Sequence, residues 1–232
     1  EYPDYSKDYV VSSEVIRGDG TDFSAFHVIY LESMKQVAEY KGKIGTKDFG
    51  NMCVSVATEY NKALLIVENN NIGWSAIQTI IDSEYPNLFY TSKDLMYVDT
   101  AKQLTNRYRS QDRNMVPGFS MTAKTRPLVI AKLEEYFREK SVIVSSQRLI
   151  DELFVFIYKN SRAEAMVGYN DDLVMSLAIG LWVRDTALRL RAEGVELTKR
   201  SFDYFQSHQG VYDTEDANKN DSWQMDVGDG KE

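Results

Sequence analysis

Intramolecular disulfides are excluded at once, because the 232-residue chain has a single cysteine, Cys53. It lies in "FGNMCVSV", where Phe49, Met52, Cys53 and Val56 share a helical face, the setting of a packed thiol rather than a reactive one. No run of about 18 or more apolar residues occurs, and no charged start leads into an apolar stretch. Neither a spanning helix nor a signal peptide is therefore expected, and a soluble intracellular protein is the expectation. No segment matches the G-x-x-x-x-G-K-[ST] phosphate loop, which argues against ATP hydrolysis by that route. Repeats, heptads and low-complexity tracts are missing as well. Residues 1–206 hold no Pro/Gly/Ser-rich linker, so they read as one domain followed by a tail over residues 207–232.

What is present is apolar substance and an uneven charge. The chain is 43% hydrophobic and 12% aromatic, enough for a real core, with a net charge of −8. That charge is concentrated. Residues 207–232 carry seven acids against two lysines and few apolar residues, the composition of a disordered or weakly docked tail. Residues 102–132 run the other way, with seven basic residues against one acid. A local excess of positive charge with Tyr108 and Phe119 among it suits a phosphate backbone, although a solvated basic face would read the same way.

The pattern of apolar residues predicts an α/β domain with a mixed sheet. "DYVVSSEVI" (8–16) and "DFSAFHVIYLE" (22–32) are strand-like and joined by "RGDGT", whose glycines suit a tight turn rather than a nucleotide loop. "KQVAEYKG" (35–42) adds a third strand, and Thr46 is expected to cap a helix reaching about Tyr60. "KALLIVENNN" is apolar without alternation, the mark of a central, parallel strand buried on both faces. "GWSAIQTIIDSEYP" is the next helix, with Trp74 expected to anchor in the core rather than stack on a base. "NLFYTS" reads as a strand and residues 99–121 as an irregular or hairpin insertion. A helix begins near Thr125 with Pro127 in its first turn. "SSQRLIDELFVFIYKN" reads as a short helix running into a strand, and the last strong helix spans roughly residues 171–192. Of the two histidines, His27 reads as a packed strand residue and His208 falls in the tail.

Acids stand at telling places in this layout. Glu14 closes the first strand, Glu68 closes the buried strand "LLIVE", and Asp171 and Asp172 sit side by side before the apolar run "LVMSLAIGLWV". Adjacent carboxylates repel unless a helix N-terminus, a basic side chain or a cation stabilises them. Ligand sites in α/β sheets gather at the carboxyl ends of strands, so these acids could meet despite their separation in sequence. Oxygen-only ligands favour Mg²⁺ or Mn²⁺, and a pair of such ions can hydrolyse a phosphodiester without histidine or thiol. Each acid has a plainer reading, as a solvated group after a strand or, for Asp171, an N-cap. Lys124 and Arg126, at the start of a helix, are the first candidates for phosphate contacts, followed by Arg107, Arg109 and Arg113.

Four segments in order, "SSEVIRGDGTDFSAFHVI", "LLIVENNNIGWSAIQ", "SMTAKTRPLVIAKLEEY" and "GYNDDLVMSLAIG", together resemble the nuclease domain of the large terminase subunit of tailed bacteriophages, over roughly residues 8–190. The resemblance implies a ribonuclease H-like fold and metal-dependent cutting of concatemeric double-stranded DNA during genome packaging. It places Glu14 at the first catalytic position, Glu68 at the second and one of Asp171 and Asp172 at the third, with Asp22 as an accessory acid near a metal. It further implies an ATPase domain N-terminal to this chain in the full-length protein, portal and small-subunit partners, and work at the prohead in the host bacterial cytoplasm. One departure matters. The family usually has aspartate where this chain has Glu14, and the longer side chain is expected to slow cleavage while metal binding survives. Two other readings share features with this one: a junction resolvase or transposase core, and a catalytically silent DNA-binding or portal-docking module.

Overall fold

The computed structural model describes residues 1–16, 23–70, 72–92, 115–159 and 162–185, all within one compact unit, Glu1–Leu190. Asp22, Arg107, Arg109, Arg113, Tyr108 and the tail fall outside the described residues. The main sheet is built from β1 (Tyr9–Glu14), β2 (Ser24–Tyr30), β3 (Lys35–Gly42) and β4 (Leu64–Val67). Its order is β3-β2-β1-β4, with β2 antiparallel to both neighbours and β1 parallel to β4. Beyond β4 the ladder continues through two short stretches. Phe89 N–H donates to the Leu65 carbonyl at 2.8 Å, and Phe119 N–H donates to the Val67 carbonyl at 2.7 Å. Next to them β5 (Tyr90–Ser92) pairs with β6 (Met115–Pro117).

Pleating decides which layer each strand residue joins. Tyr9, Val11, Leu65 and Val67 face one side and pack with Phe49, Cys53 and Ala57 of α1 (Thr46–Glu59) and Ala76, Ile77 and Ile80 of α2 (Gly73–Asp82). Val10 and Ile66 face the other, with Val129 and Leu133 of α3 (Thr125–Arg138), Leu149 of α4 (Gln147–Phe154) and the apolar residues of α5, helical over residues 172–185. Strand β4 is thus buried on both faces, as its unbroken apolar run predicts. α5 crosses very close to β1. A Cβ at Gly180 would lie 2.5 Å from Ser12 Oγ, and that hydroxyl donates to the Ser176 carbonyl at 2.7 Å.

Three expectations are corrected. Thr46 does not cap α1; Gly45 holds the cap position without a side-chain bond, and the Thr46 hydroxyl donates to Ser75 Oγ on α2. Trp74 is 44% exposed rather than a core anchor, since it lies on the outer side of the first turn of α2, whose buried positions are Gly73, Ala76, Ile77 and Ile80. Phe119 is core, 5% exposed against Phe89, and so has no face to offer a nucleic acid. The stretch read as a short helix running into a strand is α4 followed by β7 (Phe156–Lys159), which pairs with an unexpected β8 (Arg162–Ala165).

His27 is packed, fully buried on β2. Its Nε2–H donates to the Leu173 carbonyl at 2.9 Å, while its Nδ1 accepts from the Gln36 amide at 2.8 Å. The assignment follows because Gln36 Oε1 is taken by the Ser145 and Ser146 N–H groups, leaving its NH₂ toward the ring. Burial lowers the His27 pKa from 6.5 to about 4. In that window the unfolded chain binds a proton that the native state refuses, so stability falls as pH drops, by at most about 3 kcal/mol. Urea titrations of wild type and His27→Gln at about pH 7 and about pH 4.5 should show the larger acid loss in wild type; equal losses would contradict this.

Candidate active site

The register of two parallel strands creates the first pair of acids. Ser13 is level with Val67 in the β1–β4 ladder, and Glu68 N–H donates to the Ser13 carbonyl at 3.0 Å, which sets Glu14 beside Glu68. Glu14 follows Val10 and Ser12 on their face of β1, and Glu68 follows Ile66 on its face of β4, so both carboxylates emerge toward α5. Across the rest of the sheet Glu14 pairs with Ala25, and Ala25 pairs with Lys41. Lys41, Ala25, Glu14 and Glu68 therefore form one row at the end of the sheet, with a methyl group between the lysine and the acids.

The start of α5 supplies the other two carboxylates. Asp172 is 3% exposed, and its Oδ2 accepts from Phe23 N–H at 3.1 Å and lies 3.7 Å from Lys41 Nζ. Asp171 is more open and pairs with Arg126 of α3, Nη2 to Oδ2 at 3.2 Å. Its side chain is thus engaged by Arg126, and the capping that was its plainer alternative reading is done by Glu152 of α4. Glu152 Oε2 accepts from Leu173 N–H at 2.8 Å and Val174 N–H at 3.1 Å, while Oε1 pairs with Lys41 Nζ.

The electrostatics are those of a crowded anionic site. Glu14 Oε2 is buried without a hydrogen-bond partner among the described residues. Burial pushes the Glu14 carboxyl well above the usual range, and the charges of Glu68, Asp172 and Asp171 push it further, against the pull of Arg126. Glu68 is also raised by burial, with Arg126 and the Asn70 amide opposing and Asp171 adding repulsion. Asp171 bears on both glutamates. Among the described residues no three His, Cys, Asp or Glu side chains form a ready-made metal cage. The donor set nonetheless fits a hard divalent cation: oxygen only, anionic, and including a buried carboxylate oxygen that no donor among the described residues reaches.

A groove of about 570 Å³ opens on Glu68 and is bordered by Thr122, Arg126, Tyr158 and Arg162. Lys124 is exposed at the foot of α3, whereas Arg126 is tied to Asp171 and to the Ala163 carbonyl at 3.2 Å, its buried Nε without a partner among the described residues. The sequence reading passed over Lys41 and Glu152. One signal for Glu152 was available, since it falls three residues after Leu149 on the buried face of α4. An acid at a core-facing helical position asks for a partner.

A mixed sheet ordered β3-β2-β1-β4 with helices on both faces and acids at the ends of its parallel pair is a ribonuclease H-like fold. Solved structures that share it include nuclease domains of large terminases. The large terminase nuclease from thermophilic phage G20c with bound magnesium is 17% identical, with a TM-score of 0.57, over 78% of this chain and 84% of that one. The same nuclease with bound cobalt gives 16% identity and a TM-score of 0.57 over the same shares. The large terminase nuclease domain of Thermus phage P74-26 gives 18% identity and a TM-score of 0.53 over 78% of this chain and 81% of that one. No protein-family model matches the chain. Among the described residues no helix is long and apolar enough to cross a membrane.

Removing one charge from the cluster should stabilise the protein when divalent metal is chelated. Glu14 is held above its unfolded pKa, so the native state loses stability as pH rises and this group ionises. Glu14→Gln stays neutral and should gain on the order of 1 kcal/mol at neutral pH in urea unfolding with EDTA. An unchanged or lower stability would show that Glu14 does not suffer the repulsion described.

Proposed function

We propose that the chain is a metal-dependent endonuclease domain that cuts concatemeric double-stranded DNA during viral genome packaging. The observation that carries this reading is the convergence of Glu14, Glu68, Asp171 and Asp172 from three distant segments, with a buried Glu14 oxygen that has no hydrogen-bond partner among the described residues. The ribonuclease H-like fold shared with phage terminase nucleases supports it, as do the magnesium and cobalt bound by the G20c nuclease. By the same reading an ATPase domain precedes this one in the full protein, the portal and small terminase subunit are partners, and the work is done at the prohead in the bacterial cytoplasm.

Glu14, Glu68, Asp171 and Asp172 would hold two Mg²⁺ or Mn²⁺ ions, with Asp22 as an accessory acid. When bound, such ions supply a more acidic attacking water and a clamp on the leaving oxygen of the phosphodiester. The chain's own residues do the rest. Lys124 offers an exposed cation at the first turn of α3, where the backbone N–H groups also favour phosphate. Arg126 offsets the carboxylate charge from the groove side and would share itself between Asp171 and a phosphate in the groove; Arg107, Arg109 and Arg113 would add further phosphate contacts by their charge.

A supercoiled-plasmid nicking assay with Mg²⁺, Mn²⁺ or chelator tests the activity. Cutting with either metal and none with chelator is expected, and binding without cutting in Mn²⁺ would favour a silent DNA-gripping module instead. Glu14→Asp restores the family's shorter side chain and should cut at least about tenfold faster, roughly 1.4 kcal/mol of transition-state stabilisation, with DNA affinity little changed. No gain in either metal would remove Glu14 from the first ligand position. Lys124→Ala should weaken binding to unrelated duplexes alike and reduce the salt slope by about one; an unchanged slope would move the DNA path elsewhere.

A further inference from the structure

The buried pair Lys41–Glu152 has no role in the chemistry above, yet it touches Asp172. Glu152 is 7% exposed, and both of its oxygens are committed, one to two N–H groups of α5 and one to Lys41. Lys41 Nζ lies nearer to Glu152 than to Asp172 Oδ2, from which it is 3.7 Å away. Its position is bounded on a further side by the Phe23 ring, 4.8 Å from Nζ to the centroid. The ammonium is thus shared between two carboxylates on one helix start, and Glu152 holds the larger share.

Resting on the reading of Asp172 as a metal ligand, we propose that Glu152 is a positioning residue that holds Lys41 3.7 Å from Asp172 and keeps it from closing a direct hydrogen bond on that carboxylate. An ammonium released from Glu152 lies 3.7 Å from Asp172 Oδ2, and on closing that gap it would compete with a divalent cation for the same oxygen. Lys41 in turn offsets the charge that Glu152 needs in order to cap α5. The capping and the sparing of Asp172 come from the two oxygens of one side chain, so they can be separated by substitution.

Glu152→Gln keeps an amide oxygen for the Leu173 and Val174 N–H groups but loses the anion that retains Lys41. Mn²⁺ binding, measured by electron paramagnetic resonance of the free ion, should weaken about tenfold in Glu152→Gln and recover to within about threefold of wild type in Lys41→Met/Glu152→Gln. Lys41→Met alone should stay within about threefold of wild type. Losses that add in the double variant would show that Lys41 does not carry the effect of Glu152 on the metal, and that result would overturn the proposal. A crystal structure of metal-free Glu152→Gln supplies a readout independent of metal. Lys41 Nζ should move from 3.7 Å to hydrogen-bond distance of Asp172, and an unmoved lysine would overturn the proposal. Should Glu152→Gln fail to fold, Glu152→Asp, which shortens the reach to Lys41 and keeps the charge, should show the same shift of Lys41 in the crystal and a smaller loss of Mn²⁺ affinity. Wild type that binds no Mn²⁺ while Lys41 moves in the variant contradicts the nuclease reading and upholds the positioning role.

Discussion

Crowding of like charge is the constraint around which the rest of the molecule is arranged. The parallel register of β1 and β4 makes Glu14 and Glu68 neighbours, and α5 starts at the same edge with Asp171 and Asp172. Four carboxylates in so small a volume oppose folding, and the structure offsets this only in part. The N-terminal dipole of α5 favours negative charge at its first turn. Arg126 reaches in from α3 and Lys41 from β3, one cation on each flank. Glu14, between them, keeps a buried oxygen with no donor among the described residues.

The scaffold that holds these groups is rigid for identifiable reasons. α5 is pinned to the sheet at its start by His27 on the Leu173 carbonyl, and in mid-helix by Ser12 on the Ser176 carbonyl and the close approach at Gly180. On the opposite side of the site Asn70 accepts from Gly73 N–H at 2.7 Å, turning the chain from the end of β4 into α2 directly after Glu68. Carboxylates carried on strand ends and a helix start are held more precisely than groups on loops.

Much of this was legible in the sequence, because it rests on local chemistry. "KQVAEYKG" is β3 to the residue, Thr125 and Pro127 open α3, and the unbroken apolar run "LLIV" is the parallel strand buried on both faces. The acids stood out by their places after strands and before a helix. What was not legible depends on partners distant in sequence. Glu152 caps a helix that begins 20 residues after it, and Lys41 comes from the far side of the sheet. Thr46 looked like a cap because local rules favour it, and the hydroxyl of a neighbouring helix won instead. Trp74 and Phe119 exchanged expected environments, since burial follows which face of an element meets the sheet rather than residue type. β8, "RAEA", has neither β-branched nor aromatic residues to announce it and is strand only through pairing with β7.

The central claim is that the four carboxylates form one divalent-metal site. Crystals soaked in Mn²⁺ and measured at the manganese absorption edge test it most directly. The account predicts anomalous density bounded by Glu14, Glu68 and the Asp171/Asp172 pair, with Arg126 displaced from Asp171. Manganese found only at other acids, with the Arg126–Asp171 pair intact, would contradict it.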